Sequence, residues 1–173
     1  MNKMIKAWFV FAVLVAINVM AENPKEKCCA PASTPQFGEL KQLIGKWEGT
    51  NTKKEKVVIN YKLTAGGTAL METLFPGTPH EMVSVYHDDR GKLMMTHYCM
   101  LGNQPRLRLE DEKNGKMKFE FSDGTGIKSD NDPHMHALTV TFIDKDHFRQ
   151  EWSFYDKGEE KGVETINFVR KKS

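Results

Sequence analysis

Between residues 45 and 170 the sequence is divided into short segments by turn signals such as Gly66-Gly67, Pro76-Gly77 and Asn114-Gly115. Within the segments, apolar and polar side chains tend to alternate, as strands with one buried face require. The segments recur at the spacing of about 8–12 residues that is typical of a β-sandwich or a closed barrel. The predicted strands are residues 46–51, 56–64, 68–75, 81–87, 92–99, 106–111, 116–122, 134–143, 148–155 and 162–170.

The two ends of this strand-rich region favour a closed barrel. Trp47 lies at the entry to the first predicted strand, and Arg170 ends the last one. The first and last strands of an up-and-down barrel are neighbours, so the Arg170 guanidinium can lie over the Trp47 ring. The spacing of Leu40, Leu43 and Ile44 predicts one or two helical turns that cover a barrel end. We therefore predict an all-β domain over residues 37–173: a single closed antiparallel up-and-down β-barrel of about ten strands with a short N-terminal helix.

Two short motifs resemble those of the calycin superfamily, which includes lipocalins, fatty-acid-binding proteins and nitrobindin-like barrels. They are Gly45-x-Trp47-x-Gly49 near the start and Phe168-Val169-Arg170 at the close. Residues 96–106, THYCMLGNQPR, are also similar to a segment of uncharacterised exported bacterial barrels of this superfamily. The resemblance implies a ligand-binding barrel. Nitrobindin-like members bind haem through a histidine late in the barrel, and this chain departs from that pattern because its last predicted strand contains no histidine.

The N-terminus has the features of a secretory signal peptide. Lys3 and Lys6 precede an almost unbroken apolar run over residues 7–19, and Val19-Met20-Ala21 offers residues that a signal peptidase accepts. The run is shorter than the roughly 20 residues of a transmembrane helix. We predict a signal peptide over residues 1–21, with an uncleaved anchor as the alternative, and a flexible leader over residues 22–36. A periplasmic or secreted protein with no stable membrane span after cleavage is expected.

Charge and cysteine content narrow the set of partners. Lys and Arg total 25 against 23 Asp and Glu, so the chain lacks the excess of basic residues expected of a nucleic-acid-binding protein. Adjacent Cys28 and Cys29 are poorly placed to bridge each other. One of them could pair with Cys99, with another chain or with a redox partner, or Cys99 could be a small buried side chain.

The most unusual stretch is residues 93–108, where His97 and Cys99 share the strand face that carries Leu93 and Met95. The opposite face also lacks charge, so both faces are expected to be sheltered. A buried imidazole needs a partner, because an unpaired polar group costs about 1–3 kcal/mol. The candidate cluster of partners and lumen-lining residues is Glu72, Glu81, His97, Cys99, Arg106 and Trp152.

This cluster suits a small, mostly apolar ligand with one polar or anionic head held by Arg or His. The alternative interpretation is a satisfied buried network that only fixes the strand register. Asn103 and Gln104 are expected to shape the turn that follows Cys99.

Two other functions are weaker alternatives. His134 and His136 are spaced to project from one face of a strand and could share a metal, although the sequence specifies no further ligand. An enzyme would use Cys99 or Thr96 as nucleophile and His97 as base, but neighbouring side chains on a strand point to opposite faces. No nucleophile elbow, phosphate-binding loop or zinc-protease motif is present in the sequence. A ligand-binding barrel is therefore preferred to an enzyme.

Overall fold

A computed structural model describes residues 33–172 of the chain, and within them it confirms the predicted fold class. Ten antiparallel strands, β1 to β10, close into one barrel in which each strand pairs with its neighbours in sequence and β1 pairs with β10. The strands are β1 Gly45–Thr50, β2 Lys56–Thr64, β3 Ala69–Leu74, β4 Met82–Asp89, β5 Lys92–Tyr98, β6 Gln104–Lys113, β7 Lys116–Thr125, β8 His134–Asp144, β9 His147–Asp156 and β10 Glu159–Arg170. A short 3₁₀ turn, Ala65–Gly67, connects β2 to β3.

A short helix, α1 (Pro35–Leu40), precedes the barrel and continues as the 3₁₀ turn Lys41–Leu43. Thr34 caps it, because its hydroxyl oxygen accepts a hydrogen bond from the backbone N–H of Phe37 at 3.1 Å. Thr34 also ties the helix to β4, since its backbone N–H donates to the Asp88 carboxylate at 2.8 Å. The helix therefore begins inside the stretch that the sequence predicted as leader up to residue 36. The predicted signal peptide, Cys28 and Cys29 lie outside the described residues.

The helix covers one end of the barrel with buried apolar side chains. Phe37 and Leu40 of α1 and Leu43 of the 3₁₀ turn are all almost fully buried, and they pack into the same core cluster as Trp47. We call this the helix end. The opposite end, which we call the rim, is formed by the connections at residues 51–55, 75–81, 99–103, 126–133 and 157–158. No helix within residues 33–172 has the length and apolar character needed to cross a membrane.

The barrel closes where β1 meets β10, in a register that pairs Trp47 with Arg170. The Arg170 guanidinium lies over the Trp47 ring, with its carbon 4.0 Å from the ring centroid. It also donates hydrogen bonds to the backbone carbonyl oxygens of Gln42 at 2.7 Å and Ile44 at 2.9 Å, and so fastens the end of the helical segment to the barrel. On the same strand pair, a Cβ at Gly49 would lie only 2.6 Å from the Phe168 ring, so glycine is the residue that fits there.

Candidate functional site

The polar residues of the interior form one row across four neighbouring strands. Strand register pairs Tyr61 of β2 with Glu72 of β3, Glu72 with Ser84 of β4, and Ser84 with His97 of β5. All four side chains point inward and are at most 2% exposed. Because alternation places every second residue of a strand inside the barrel, these pairings bring the four polar groups together in an otherwise apolar core.

Glu72 is the centre of a satisfied hydrogen-bond network. The hydroxyls of Tyr61 and Tyr86 donate to its carboxylate at 3.1 and 2.8 Å, and the Gln150 amide donates to it at 2.7 Å. The Gln150 side-chain oxygen in turn accepts from the Trp152 indole N–H at 3.1 Å. Burial raises the pKa of Glu72, while hydrogen bonds from Gln150, Tyr86, Tyr61 and Ser84 act to lower it. Every donor in the network is neutral, so the carboxylate is held by hydrogen bonds alone.

His97 lies beside this network, next to the rim. Its Nδ1 is 3.0 Å from Ser84 Oγ, and its ring centroid is 5.0 Å from that of Trp152. Burial lowers the pKa of His97 to about 4, so the imidazole is neutral at physiological pH. A neutral imidazole has one protonated nitrogen and one lone pair, so the arrangement of its hydrogen bonds decides which nitrogen can accept.

Ser84 has one hydroxyl proton, which it can donate either to His97 Nδ1 or to the Glu72 carboxylate, whose pKa a hydrogen bond from Ser84 acts to lower. In the second arrangement the Ser84 oxygen accepts from His97, so Nδ1 carries the ring proton and Nε2 carries the lone pair. Residues 33–172 supply no hydrogen bond to Nε2, so this nitrogen of a buried ring has no partner within the described chain.

The interior near Glu72 is filled by side chains. Glu72, Ser84, Tyr86 and Gln150 are each 0% exposed, whereas Trp152, nearer the rim, is 4% exposed. Several apolar side chains lie at this end: Phe75, Met82 and Met135 are partly buried against the core, and Tyr98, Met100 and Leu101 are at least half exposed. Contact between the interior and a small molecule is therefore confined to the rim.

Two residues of the predicted cluster lie elsewhere. Arg106 points outward, because alternation on β6 turns Leu107 into the core, and its guanidinium pairs with Asp123 on the barrel exterior. Glu81 precedes β4 in the rim connection, where its exposed carboxylate accepts a hydrogen bond from the backbone N–H of Gly77 at 2.6 Å. The expectation that both residues face the lumen was wrong, and neither Glu81 nor Arg106 takes part in the interior network.

The turn after β5 is also more exposed than the sequence indicated. Tyr98 and Met100 are 52% and 56% exposed, so the outer face of this segment is not sheltered. Cys99 lies just beyond β5 and is half-buried. Burial raises the pKa of its thiol, while hydrogen bonds from the backbone of Leu101 and Met100 act to lower it. A raised pKa does not favour the thiolate that a nucleophile requires.

Asn103 and Gln104 connect this turn to β6. The Asn103 side-chain amide donates to the carbonyl oxygen of Pro133 at 2.8 Å and so joins two connections of the rim. Its Oδ1 is buried without a partner within the described chain. Gln104 is the first residue of β6, and its side chain contacts the Gly102 carbonyl oxygen at 3.4 Å.

His134 and His136 lie on the same side of β8, as the sequence predicted, and both rings lie near that of Tyr155. A β-bulge between Met135 and Ala137 adds a residue to β8, and His134 is fully buried whereas His136 is only partly buried. The two rings hydrogen-bond to each other, with His134 Nε2 3.0 Å from His136 Nδ1. Residues 33–172 contain no group of three or more His, Cys, Asp or Glu side chains arranged to hold a metal ion.

The sequence reasoning missed four polar residues of the interior: Tyr61, Ser84, Tyr86 and Gln150. The inward position of each residue could have been recognised from the alternation of side chains along its strand. Tyr61 continues the inward series of Val57 and Ile59, and Gln150 stands between Phe148 and Trp152 in the inward series of β9. A polar residue in an inward series needs a partner, and this requirement could have grouped the four with Glu72.

Comparison with known proteins supports the fold of this chain but not a particular function. No protein-family model matches the sequence, and no curated protein matches it. Rv2717c from Mycobacterium tuberculosis has a similar solved structure, with a TM-score of 0.52 and 14% sequence identity over 82% of this chain and 100% of that protein. A protein of unknown function of the DUF3598 family from Nostoc punctiforme has a TM-score of 0.49 and 15% identity over 83% of this chain. The chain spans 53% of that second protein.

Proposed function

We propose that this protein is an exported barrel that binds a small, mostly apolar molecule at its rim, with the polar head of the ligand at His97. The observation that carries the proposal is the Nε2 atom of His97, beside Trp152, to which residues 33–172 supply no hydrogen bond. We propose that Ser84 donates to Glu72, so that His97 Nδ1 carries the ring proton and Nε2 carries the lone pair. A buried acceptor without a protein partner gains a hydrogen bond when a ligand supplies a donor.

The charges around His97 favour a neutral head over an anionic one. His97 is itself neutral, because burial lowers its pKa to about 4. The carboxylate of Glu72 lies in the same row, and the Arg106 guanidinium that could have neutralised an anion lies outside the barrel. A hydroxyl group donates to an imidazole lone pair at no electrostatic cost, whereas a carboxylate has no proton to donate. The preferred ligand therefore carries a hydroxyl or another neutral donor.

The apolar part of the ligand would contact the rim. Met82 and Met135 are partly buried there, and Met100 and Leu101 are exposed on the neighbouring turn. Methionine side chains are unbranched and adapt their rotamers to an apolar guest, so a filled rim can admit a ligand without rearranging the strands. The Glu72 network remains closed in this proposal and keeps the strands in register.

Two further parts of the proposal rest on the sequence. The basic residues and apolar run at the N-terminus support export to the periplasm or beyond. The Trp47–Arg170 contact at the closure of the barrel supports a relationship to calycin barrels, as the Gly45-x-Trp47-x-Gly49 motif implies.

Titration of the folded protein with matched ligands tests the proposal. We expect 1-decanol to bind and to alter the fluorescence of Trp152, and decanoate to bind at least tenfold more weakly. His97→Leu should remove the preference for decanol, since it removes the acceptor, and Arg106→Gln should bind both ligands as the wild type does. Equal affinity for decanol and decanoate, or loss of binding in Arg106→Gln alone, would contradict the proposal.

A further inference from the structure

A second concave site lies on the outside of the barrel, across strands β7 to β10. His136 of β8 lies at the edge of a cavity of about 490 Å³. The lining residues that matter here are Glu120, His136, Ser153, Tyr155 and Glu160. They come from four strands and do not contact the Glu72 network, which lies on the other side of the barrel wall.

One wall of this cavity is aromatic. The ring of His136 stacks on that of Tyr155, with centroids 3.8 Å apart and an angle of 17° between the ring planes. Phe121 stacks against the same imidazole at 5.6 Å. The stacked rings of His136 and Tyr155, which line the cavity, form a surface on which a flat or cationic group can rest, and Phe121 supports His136 from outside the lining.

The hydrogen bonds of the two histidines fix which nitrogen faces an incoming ligand. His134 Nδ1 is 2.7 Å from the backbone carbonyl oxygen of Asp132, which can only accept, so Nδ1 is protonated. When His134 is neutral its Nε2 is an acceptor, and His136 Nδ1, 3.0 Å away, must donate to it. In that state His136 Nε2 carries a lone pair.

The carboxylates of the cavity keep acceptor oxygens that face it, although Lys118 also lines it. One oxygen of Glu120 accepts from Lys118 at 2.5 Å and one oxygen of Glu160 accepts from the Ser153 hydroxyl at 2.6 Å, which leaves the second oxygen of each carboxylate. Burial and, next, His134 lower the pKa of His136, while Asp130, Glu120 and Glu160 act to raise it. Three carboxylates, Glu120, Glu151 and Glu160, line the cavity against the single cation Lys118, so its net charge is negative.

From this arrangement we infer that the outer cavity binds a small organic cation, with an ammonium group that donates to Glu120, Glu160 and His136 Nε2 and an apolar part that rests on Tyr155. An ammonium group has three donors and no acceptor, which matches three free acceptors, and the aromatic wall adds a cation–π contribution. The site is independent of the proposed ligand at His97.

Nuclear magnetic resonance titration with three ligands of one shape tests this inference. Phenethylamine, which is an ammonium ion at neutral pH, should shift the resonances of Tyr155 and His136. 2-Phenylethanol should bind at least tenfold more weakly, and phenylacetate should not bind. Glu160→Gln and Tyr155→Leu should each weaken phenethylamine binding at least fivefold.

Glu164→Gln is the matched control, because Glu164 lies on the same strand as Glu160 but bonds to Thr52. It should bind phenethylamine as the wild type does, and so should His97→Leu. Phenylethanol binding as tightly as phenethylamine, or equal weakening by Glu160→Gln and Glu164→Gln, would overturn the inference. Loss of binding in His97→Leu would show that the amine occupies the rim instead.

Discussion

Replacing Glu72 by alanine is expected to lower the free energy of unfolding by about 3–5 kcal/mol. The substitution removes the acceptor of Tyr61, Tyr86 and Gln150 together, and all of these groups are buried. Each donor that is left without a partner costs about 1–3 kcal/mol, and a cavity adds to this cost. Urea unfolding followed by circular dichroism measures the change.

Two comparison variants distinguish the effect of losing the Glu72 hydrogen bonds from the general effect of removing a carboxylate. Glu72→Gln keeps the shape and one acceptor oxygen, so its loss should be about half that of Glu72→Ala or less. Glu81→Ala removes the other glutamate that the sequence suggested as a partner, and it should change stability by less than about 0.5 kcal/mol because Glu81 is exposed. Equal losses in Glu72→Ala and Glu81→Ala would contradict the role of Glu72.

Acidification is expected to destabilise the protein through His97. Burial lowers the pKa of this residue from its usual value of 6.5 to about 4 in the folded state. The unfolded chain therefore binds this proton at a higher pH than the folded protein does. The stability that the neutral imidazole contributes is complete above pH 6.5 and is lost as the pH falls towards 4. The pKa difference corresponds to a loss of about 3 kcal/mol across this range.

Replacing His97 by glutamine tests the assignment. Urea unfolding at a series of pH values should show that the loss between pH 6.5 and pH 4 is about 3 kcal/mol smaller in His97→Gln than in the wild type. His80→Gln is the control, since His80 is exposed in the rim connection, and it should follow the wild-type curve. Parallel curves for His97→Gln and the wild type would show that another group causes the acid sensitivity.

Most of the fold could be predicted from the alternation of apolar and polar residues, because a side-chain period of two is a local property that can be seen in a single sequence. It predicted ten strands, and the structure confirms a closed barrel of ten. It also placed Glu72, His97 and Trp152 in apolar strands, and the structure brings these three into one polar region. The partners of Glu72 were harder to find, because Gln150 is 78 residues away in sequence and meets it only through closure of the barrel.

The errors concern Arg106 and Glu81. Arg106 and Glu81 were assigned by their proximity to His97 and to an apolar strand, although alternation with the inward Leu107 points Arg106 outward. His134 and His136 were predicted to share one face because a regular strand puts residues i and i+2 there, and their rings do lie on one side, although a bulge between Met135 and Ala137 interrupts the alternation. Bulges depend on the register of two strands, which a local pattern does not contain.

The most direct test of the binding proposal is the nitrogen resonance spectrum of the His97 ring, recorded at neutral pH without and with 1-decanol and assigned by its absence in His97→Gln. We predict that the free protein carries the ring proton on Nδ1 and the lone pair on Nε2, and that decanol shifts the Nε2 resonance while Nδ1 stays protonated. A ring protonated on Nε2, or an Nε2 resonance unchanged at saturating decanol, would contradict the account.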